Sequence, residues 1–305
     1  MRSKSAYVLY RDPLVVAGSF GLIDDLPAGG PITVLFHPPW WLHPVGALRL
    51  RKKIQTLARR RPARVIVCAN TWTERCFAAA AGLEARWHNQ NIHAREGVFY
   101  PEARVPGAPA YEAIYTAALE PYKRMGLARG VPSLYVLTYK SGQTGGWDVH
   151  KEHPELAAAG YNPQFLGEDA VRSLYAASDC GLALSRVEGA MWAAMEYMLC
   201  GLPVVSTRSF GGRDQFRDDY YWRTVAASPE GVAAGVRAWR ENPPDRQEVR
   251  RRVLTKVEAG RSRFAQFATR LGSPGETASA FHNRVWGGPE GISKIRVSPS
   301  ELTSI

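Results

Sequence analysis

The chain has 305 residues, a formal net charge of +11, and is 45% hydrophobic and 10% aromatic. That length is comfortable for two domains, and that apolar content can build sizeable cores. No apolar run approaches the roughly 20 residues of a membrane-spanning helix. Asp12 and Pro13 interrupt the short N-terminal apolar stretch, so no signal peptide is expected. Cys68, Cys76, Cys180 and Cys200 lack metal-ligand spacing and are expected as reduced thiols of a cytoplasmic protein.

Ala6–Tyr10, Ile32–Phe36 and Arg64–Cys68 have strand character. Arg49 to Arg64, leading into the last of these, carries eight cations (Arg49, Arg51, Lys52, Lys53, Arg59, Arg60, Arg61 and Arg64) and no acid. Its periodicity predicts a helix with Leu50, Ile54, Leu57 and Ala58 inward and the cations outward, a face suited to an anionic membrane surface, a nucleic acid or a phosphorylated acceptor. The first strand-to-helix loop, Phe36-His37-Pro38-Pro39-Trp40-Trp41, offers aromatics able to stack on a sugar. Thr73–Ala81 is expected to be helical. His88-Asn89-Gln90-Asn91 is a polar cluster suited to a hydroxyl-rich acceptor, with Asn89 and Asn91 as the contacts. Pro101–Pro109 is rich in chain breakers and marks a domain boundary.

A second alternation follows. Strands are expected at Tyr111–Tyr115, Leu134–Tyr139, Asn162–Leu166, Cys180–Ser185 and Pro203–Ser206. Helices are expected at Tyr122–Arg129, Glu168–Ala177, Ala190–Leu199, Pro229–Glu241 and Glu248–Arg270, with a loop-rich stretch over 142–160. Strands alternating with helices imply parallel sheets. The implied domains are 1–105, 110–271 and a tail, 272–305, that packs back on the first domain or stays mobile.

Glu188 and Glu196, with seven residues between them, bracket the entry to the Ala190–Leu199 helix, which stops at Gly201 before Leu202-Pro203-Val204-Val205. Gly211-Gly212 follows. This string resembles the donor site of retaining glycosyltransferases of the two-domain GT-B type, family four. The resemblance is clearest over residues 111–239. It implies two Rossmann-like domains with a cleft between them, the N-terminal one unusually short, and transfer of a sugar from a nucleotide-sugar with retention of configuration. The acceptor is left open among a glycan, a lipid-linked compound and other hydroxyl compounds.

The resemblance also implies residue roles. Glu188 is expected to position the donor sugar and His37 to contact it, both as catalytic candidates. Glu196 is expected on the ribose, Lys123 on the diphosphate, and Leu166 and Gly167 on the base. Gly189, Ala190 and Met191 form the helix entry that meets phosphate. Gly211, Gly212 and Arg213 lie on the acceptor side. Relatives commonly place an Arg where Ala118 stands here, and Arg124 is the candidate substitute. No Asp-x-Asp metal motif, P-loop or dinucleotide Gly fingerprint is present, so neither metal nor cofactor is expected. Alternatives are a sugar-nucleotide epimerase, a nucleic-acid-modifying glycosyltransferase and a non-catalytic sugar-nucleotide-binding module. The expected location is the cytoplasm, peripheral at the inner membrane face.

Overall fold

The structure is a computed structural model describing residues 6–11, 14–18, 31–60, 62–140, 143–272, 275–288 and 295–296, the first two and the last of these stretches as backbone. Arg61 lies outside the described residues. The first sheet holds β1 (Ala6–Arg11), β2 (Leu14–Gly18), β3 (Ile32–His37), β4 (Ala63–Ala69) and β5 (Ala85–Trp87). Strands β2 to β5 run parallel, while β1 is antiparallel to β2. Helix α1 (Pro44–Ala58) joins β3 to β4, and α2 (Trp72–Ala80) joins β4 to β5.

Period-two alternation sorts β3 and β4 onto two covered faces, as parallel sheets require. Val34, Phe36, Val65 and Val67 share a core with Ala47, Leu50 and Leu57 of α1. Leu35, Ile66 and Cys68 face the other way, into the core shared with the rest of the chain. Two expectations for α1 need correction: Ala58 is exposed while Ala47 is buried, and the helix ends before Arg59. Arg64 is in β4 and forms a two-pronged ion pair with Glu84, so the acid absent from the local sequence arrives through folding.

The second sheet is all parallel, in the order β13-β11-β9-β6-β7-β8. Its strands are β6 (Tyr111–Ala118), β7 (Leu134–Tyr139), β8 (Gly160–Tyr161), β9 (Ser178–Ala183), β11 (Val204–Thr207) and β13 (Trp222–Val225). A two-residue parallel ribbon pairs β10 (Val187–Glu188) with β12 (Phe210–Gly211). The helices are α3 (Val149–Glu152), α4 (Glu168–Ala176), α5 (Trp192–Leu199), α6 (Pro229–Glu241), α7 (Arg246–Ala268) and α8 (Ala278–Trp286).

Two further expectations fail here. Residues 122–129 do not form one helix: two short 3₁₀ turns flank Arg124, whose φ is 55°. Residues 162–166 are not a strand. Instead the Asn162 side chain accepts from Thr138 N and donates to Thr138 O, both at 2.7 Å, so one amide imitates the missing ladder.

Helix α7 ties the lobes together. Val249, Val253 and Val257 recur every four residues on one face and are buried with Phe264 and Ala265. Arg261 on this helix donates to Ile92 O and Ala94 O at 2.9 Å and grips Glu96 with both terminal nitrogens. Arg250 donates to Glu96 O and Phe99 O. The connecting segment is therefore held by charge-assisted bonds. After α8, β14 (Ile295–Arg296) pairs antiparallel with β1.

Candidate functional site

The site is built where β6 ends. Its strand delivers the chain into the first 3₁₀ turn, Pro121–Lys123. The buried Tyr115 hydroxyl donates to Lys123 O, and Arg186 N donates to Tyr122 O at 2.9 Å. The left-handed backbone at Arg124 is a strained conformation for a residue with a side chain, costing on the order of 1 kcal/mol. It breaks the helical course between the two 3₁₀ turns, and the ammonium of Lys123, just before it, forms an ion pair with Glu188. Both side chains are about nine-tenths buried. Lys123 also stands 5.1 Å from the Tyr122 ring centroid. Burial, and then the Glu188 charge, push the Tyr122 hydroxyl up to about 12.

Glu188 is held by the ribbon, in which it lies opposite Gly211. Gly211 has a φ of +102°, and a Cβ there would fall 1.6 Å from Glu188 O, so only glycine fits. Gly212 N donates to Gly189 O at 2.6 Å, which closes the Gly189–Met191 turn. Helix α5 then begins at Trp192, and Met191 at its N-cap makes no side-chain capping bond.

The first lobe supports this turn from the opposite side. Asn89 Nδ2 donates to Gly212 O at 2.8 Å, Gln90 Nε2 to Ala190 O at 3.0 Å, and Asn91 Nδ2 to Met191 O at 3.5 Å. A Cβ on Gly189 would meet Pro39 C and O at 2.6 Å. The lobes are thus in direct contact through their loops. Asn89 and Asn91, expected to meet an acceptor, spend these donors on the second lobe's backbone. Asn70 and Thr71 are fixed in turn by the Glu74 carboxylate, which accepts from Leu42, Asn70 and Thr71 N. Burial outweighs those three donors and raises Glu74 to about 7.

Three expected site residues lie elsewhere in the architecture. His37 is not on a cleft surface: it is fully buried, 3.2 Å from His93 Nε2 and packed on Phe264. The cause is alternation, because His37 shares the Leu35 face of β3. Burial pushes His37 down to about 3 and His88 to about 4, and lowers His93 as well. Arg213 is likewise not on the acceptor side. It is 1% exposed and donates to Ala183 O, Ser185 O and Thr207 O, which locks the ends of β9 and β11. Arg124 donates to Leu184 O and Thr207 Oγ1 at 2.7 Å, so its guanidinium joins the same lock.

Glu196 lies within α5 and accepts from the Tyr175 hydroxyl at 3.1 Å. Tyr175 is buried, and Glu196 adds to the burial that holds its hydroxyl well above the ordinary range. Leu166 packs at the margin of the main core, and Gly167 caps α4 with open space where a Cβ would stand. No described bond joins these two to the Lys123–Glu188 pair. Sequence reasoning named Gln90 only as part of a polar cluster and missed Tyr115 and Tyr175. Both tyrosines looked like plain core.

Comparison with known proteins places this geometry. The family model described as "Glycosyl transferases group 1" matches residues 151–254. No curated protein sequence matches the chain. The fold is similar to the sucrose-phosphate synthase of Thermosynechococcus elongatus, with a TM-score of 0.57 at 16% identity over 79% of this chain and 67% of that one. It is similar to Anabaena HepE in complex with UDP-glucose, with a TM-score of 0.54 at 15% identity over 83% and 71%. An α,α-trehalose-phosphate synthase from Burkholderia xenovorans gives 0.54 at 13% identity over 84% and 66%. The molecule has the GT-B fold of glycosyltransferases, two Rossmann-like domains with mixed α/β layers. Within its second domain lies the stretch matched by the group 1 model.

Proposed function

We propose that this protein is a glycosyltransferase that moves a sugar from a nucleotide-sugar donor to a hydroxyl acceptor with retention of configuration. The observation that carries this is the meeting of Lys123 with Glu188. Residues 65 positions apart converge, nearly buried, beside the start of α5 at the carboxyl edge of a parallel sheet. That edge is where open α/β sheets take ligands. The group 1 match and the GT-B fold support the same reading. HepE was crystallised with UDP-glucose, which supports a nucleotide-sugar donor.

In this mechanism the donor diphosphate replaces Glu188 as the partner of Lys123. Lys123 and the N–H groups at the start of α5 stabilise the charge that builds on the leaving diphosphate, an effect of about 3–4 kcal/mol per well-placed donor. Glu188, released from Lys123, accepts from hydroxyls of the donor sugar. Glu196 accepts from the ribose, its carboxylate oriented by Tyr175. Gly189, Ala190 and Met191 line the phosphate, and Leu166 and Gly167 the base. Asn89, Gln90 and Asn91 hold the phosphate-facing turn in place. No divalent metal takes part, and the protein carries no cofactor.

The chain's partner surface is α1. Arg49, Lys52 and Arg59 are exposed there together with Val45 and Leu48. Cations beside exposed aliphatic groups favour a lipid headgroup surface over a nucleic acid. No helix among the described residues is long and apolar enough to cross a membrane, and the protein is proposed to work in the cytoplasm at the inner face.

A turnover screen tests the function. Wild type and Glu188→Gln are incubated with UDP-, GDP-, ADP- and dTDP-sugars and a panel of glycan, lipid-linked and other hydroxyl acceptors in excess chelator, and nucleoside diphosphate release is followed. One donor is expected to turn over in wild type, about 100-fold faster than in the variant. Absence of release from every donor, or equal rates in both proteins, contradicts the proposal.

A further inference from the structure

Trp41, from the loop after β3, faces Phe210 of β12 across the two lobes. Their ring centroids are 5.1 Å apart and their planes differ by 22°. Stacking leaves Trp41 partly buried and Phe210 56% exposed, and Trp40, the neighbour of Trp41, is 37% exposed. The ribbon register fixes where the stack stands. Phe210 lies opposite Val187 and Gly211 opposite Glu188, while a Cβ on Gly211 would touch Trp41 Cβ at 3.4 Å. The aromatic pair is therefore one residue along the ribbon from the carboxylate paired with Lys123.

The chemistry of the rim narrows the occupant. Exposed Arg186 and Arg208 flank Phe210: Arg186 O accepts from Phe210 N at 3.0 Å, and Arg208 lies two residues before Phe210 in the chain. An acyl chain or an apolar protein face would leave those polar groups desolvated. A pyranose has flat C–H faces for the rings and hydroxyl edges for the charged groups, which matches a lining of aromatics with a few placed polar groups.

We propose that the Trp41–Phe210 stack is the platform for a saccharide acceptor, which lies with a ring face on Phe210 and a hydroxyl toward the Glu188 side. This rests on the glycosyltransferase reading above. In the transfer, the donor's anomeric C–O bond to the diphosphate breaks and a C–O bond to the acceptor hydroxyl oxygen forms. The hydroxyl proton leaves with the nucleoside diphosphate. Because Trp41 and Phe210 come from different lobes, the platform exists only while the lobes are in contact.

The test is an array of immobilised mono- and oligosaccharides, probed with the full chain in the presence of whichever of UDP, GDP, ADP or dTDP binds in calorimetry. Wild type is expected to be captured by at least one saccharide. Phe210→Ala and Trp41→Ala should weaken that capture about tenfold, and Phe210→Trp should restore it. Trp72→Ala, which removes an indole 55% exposed on α2, should leave capture unchanged. Nucleotide affinity should stay within about twofold of wild type in all four variants. Undiminished capture by Phe210→Ala overturns the platform. Nucleotide binding without capture by any saccharide overturns the acceptor class. Absence of nucleotide binding in wild type counts against the glycosyltransferase reading, and this proposal falls with it.

Discussion

Two polar clusters lie at the carboxyl edges of the two sheets, and they have opposite characters. In the second lobe, Lys123 and Glu188 face one another as a charged pair at a sheet edge. In the first, His37 and His93 share a hydrogen bond inside a box of Phe264 and Trp286 and are held neutral by burial. The difference teaches how a strand-end polar residue becomes either chemistry or core. Glu188 follows β9 on a separate ribbon that leaves the sheet. His37 is still within β3, and the alternation of that strand turns it beneath α7.

The most damaging way to break this comparison is to disturb the ribbon. Gly211→Ala combines an unfavourable positive φ with a Cβ on top of Glu188 O. It is expected to cost about 2–4 kcal/mol of stability in chemical denaturation and to displace Glu188. Wild-type stability in that variant would show that the ribbon does not fix the carboxylate.

The neutral histidines sharpen the contrast through pH. Their folded pKa values lie below the unfolded value near 6.5, so the unfolded chain binds more protons once the pH drops beneath that point. Their stabilisation is full above about pH 6.5 and is lost as the pH falls toward 4. Glu74, raised to about 7, opposes them, because its protonation becomes favourable over part of the same window. His88→Phe, which keeps a ring against Phe267, should reduce the slope of stability between pH 6 and 4.5 by about 1.4 kcal/mol per unit. Denaturant midpoints across that range check this, and an unchanged slope means His88 titrates normally in the folded state.

The smallest effect on stability is expected on α1. Arg49, Lys52 and Arg59 changed together to Gln should shift stability by less than about 0.5 kcal/mol. Binding to phosphatidylserine vesicles should weaken by about 1 kcal/mol per lost charge at low salt and fade as salt is added. Equal vesicle binding by wild type and the triple variant would remove α1 as the docking face.

The sequence made the second lobe's alternation legible because its buried strands are apolar runs bounded by Gly and Pro. Leu134–Tyr139 and Pro229–Glu241 match the expected bounds. Short edge strands such as β5 and β13 carry too few residues for a pattern. Residues 162–166 misled because Asn162 satisfies Thr138 with its side chain, a bond that leaves no periodic trace. Within the candidate site, Glu188 and Lys123 were recognisable from the motif around each. Their mutual contact was not, since it joins residues 65 positions apart in the chain. His37 and Arg213 were misplaced for a shared reason. In Ile32–His37 both faces are apolar, so nothing local shows which one His37 joins, and the carbonyls that bury Arg213 come from strand ends more than 20 residues upstream as well as from its own loop.

Titration calorimetry of nucleoside diphosphates and their sugars into wild type and Lys123→Ala tests the central claim most directly. The expected result is binding of at least one nucleotide-sugar by wild type, with affinity about 10- to 100-fold lower in the variant, as for loss of a charge-assisted contact. Equal affinity in the two proteins, or no binding by wild type, would contradict the assignment of the Lys123–Glu188 corner as the donor site.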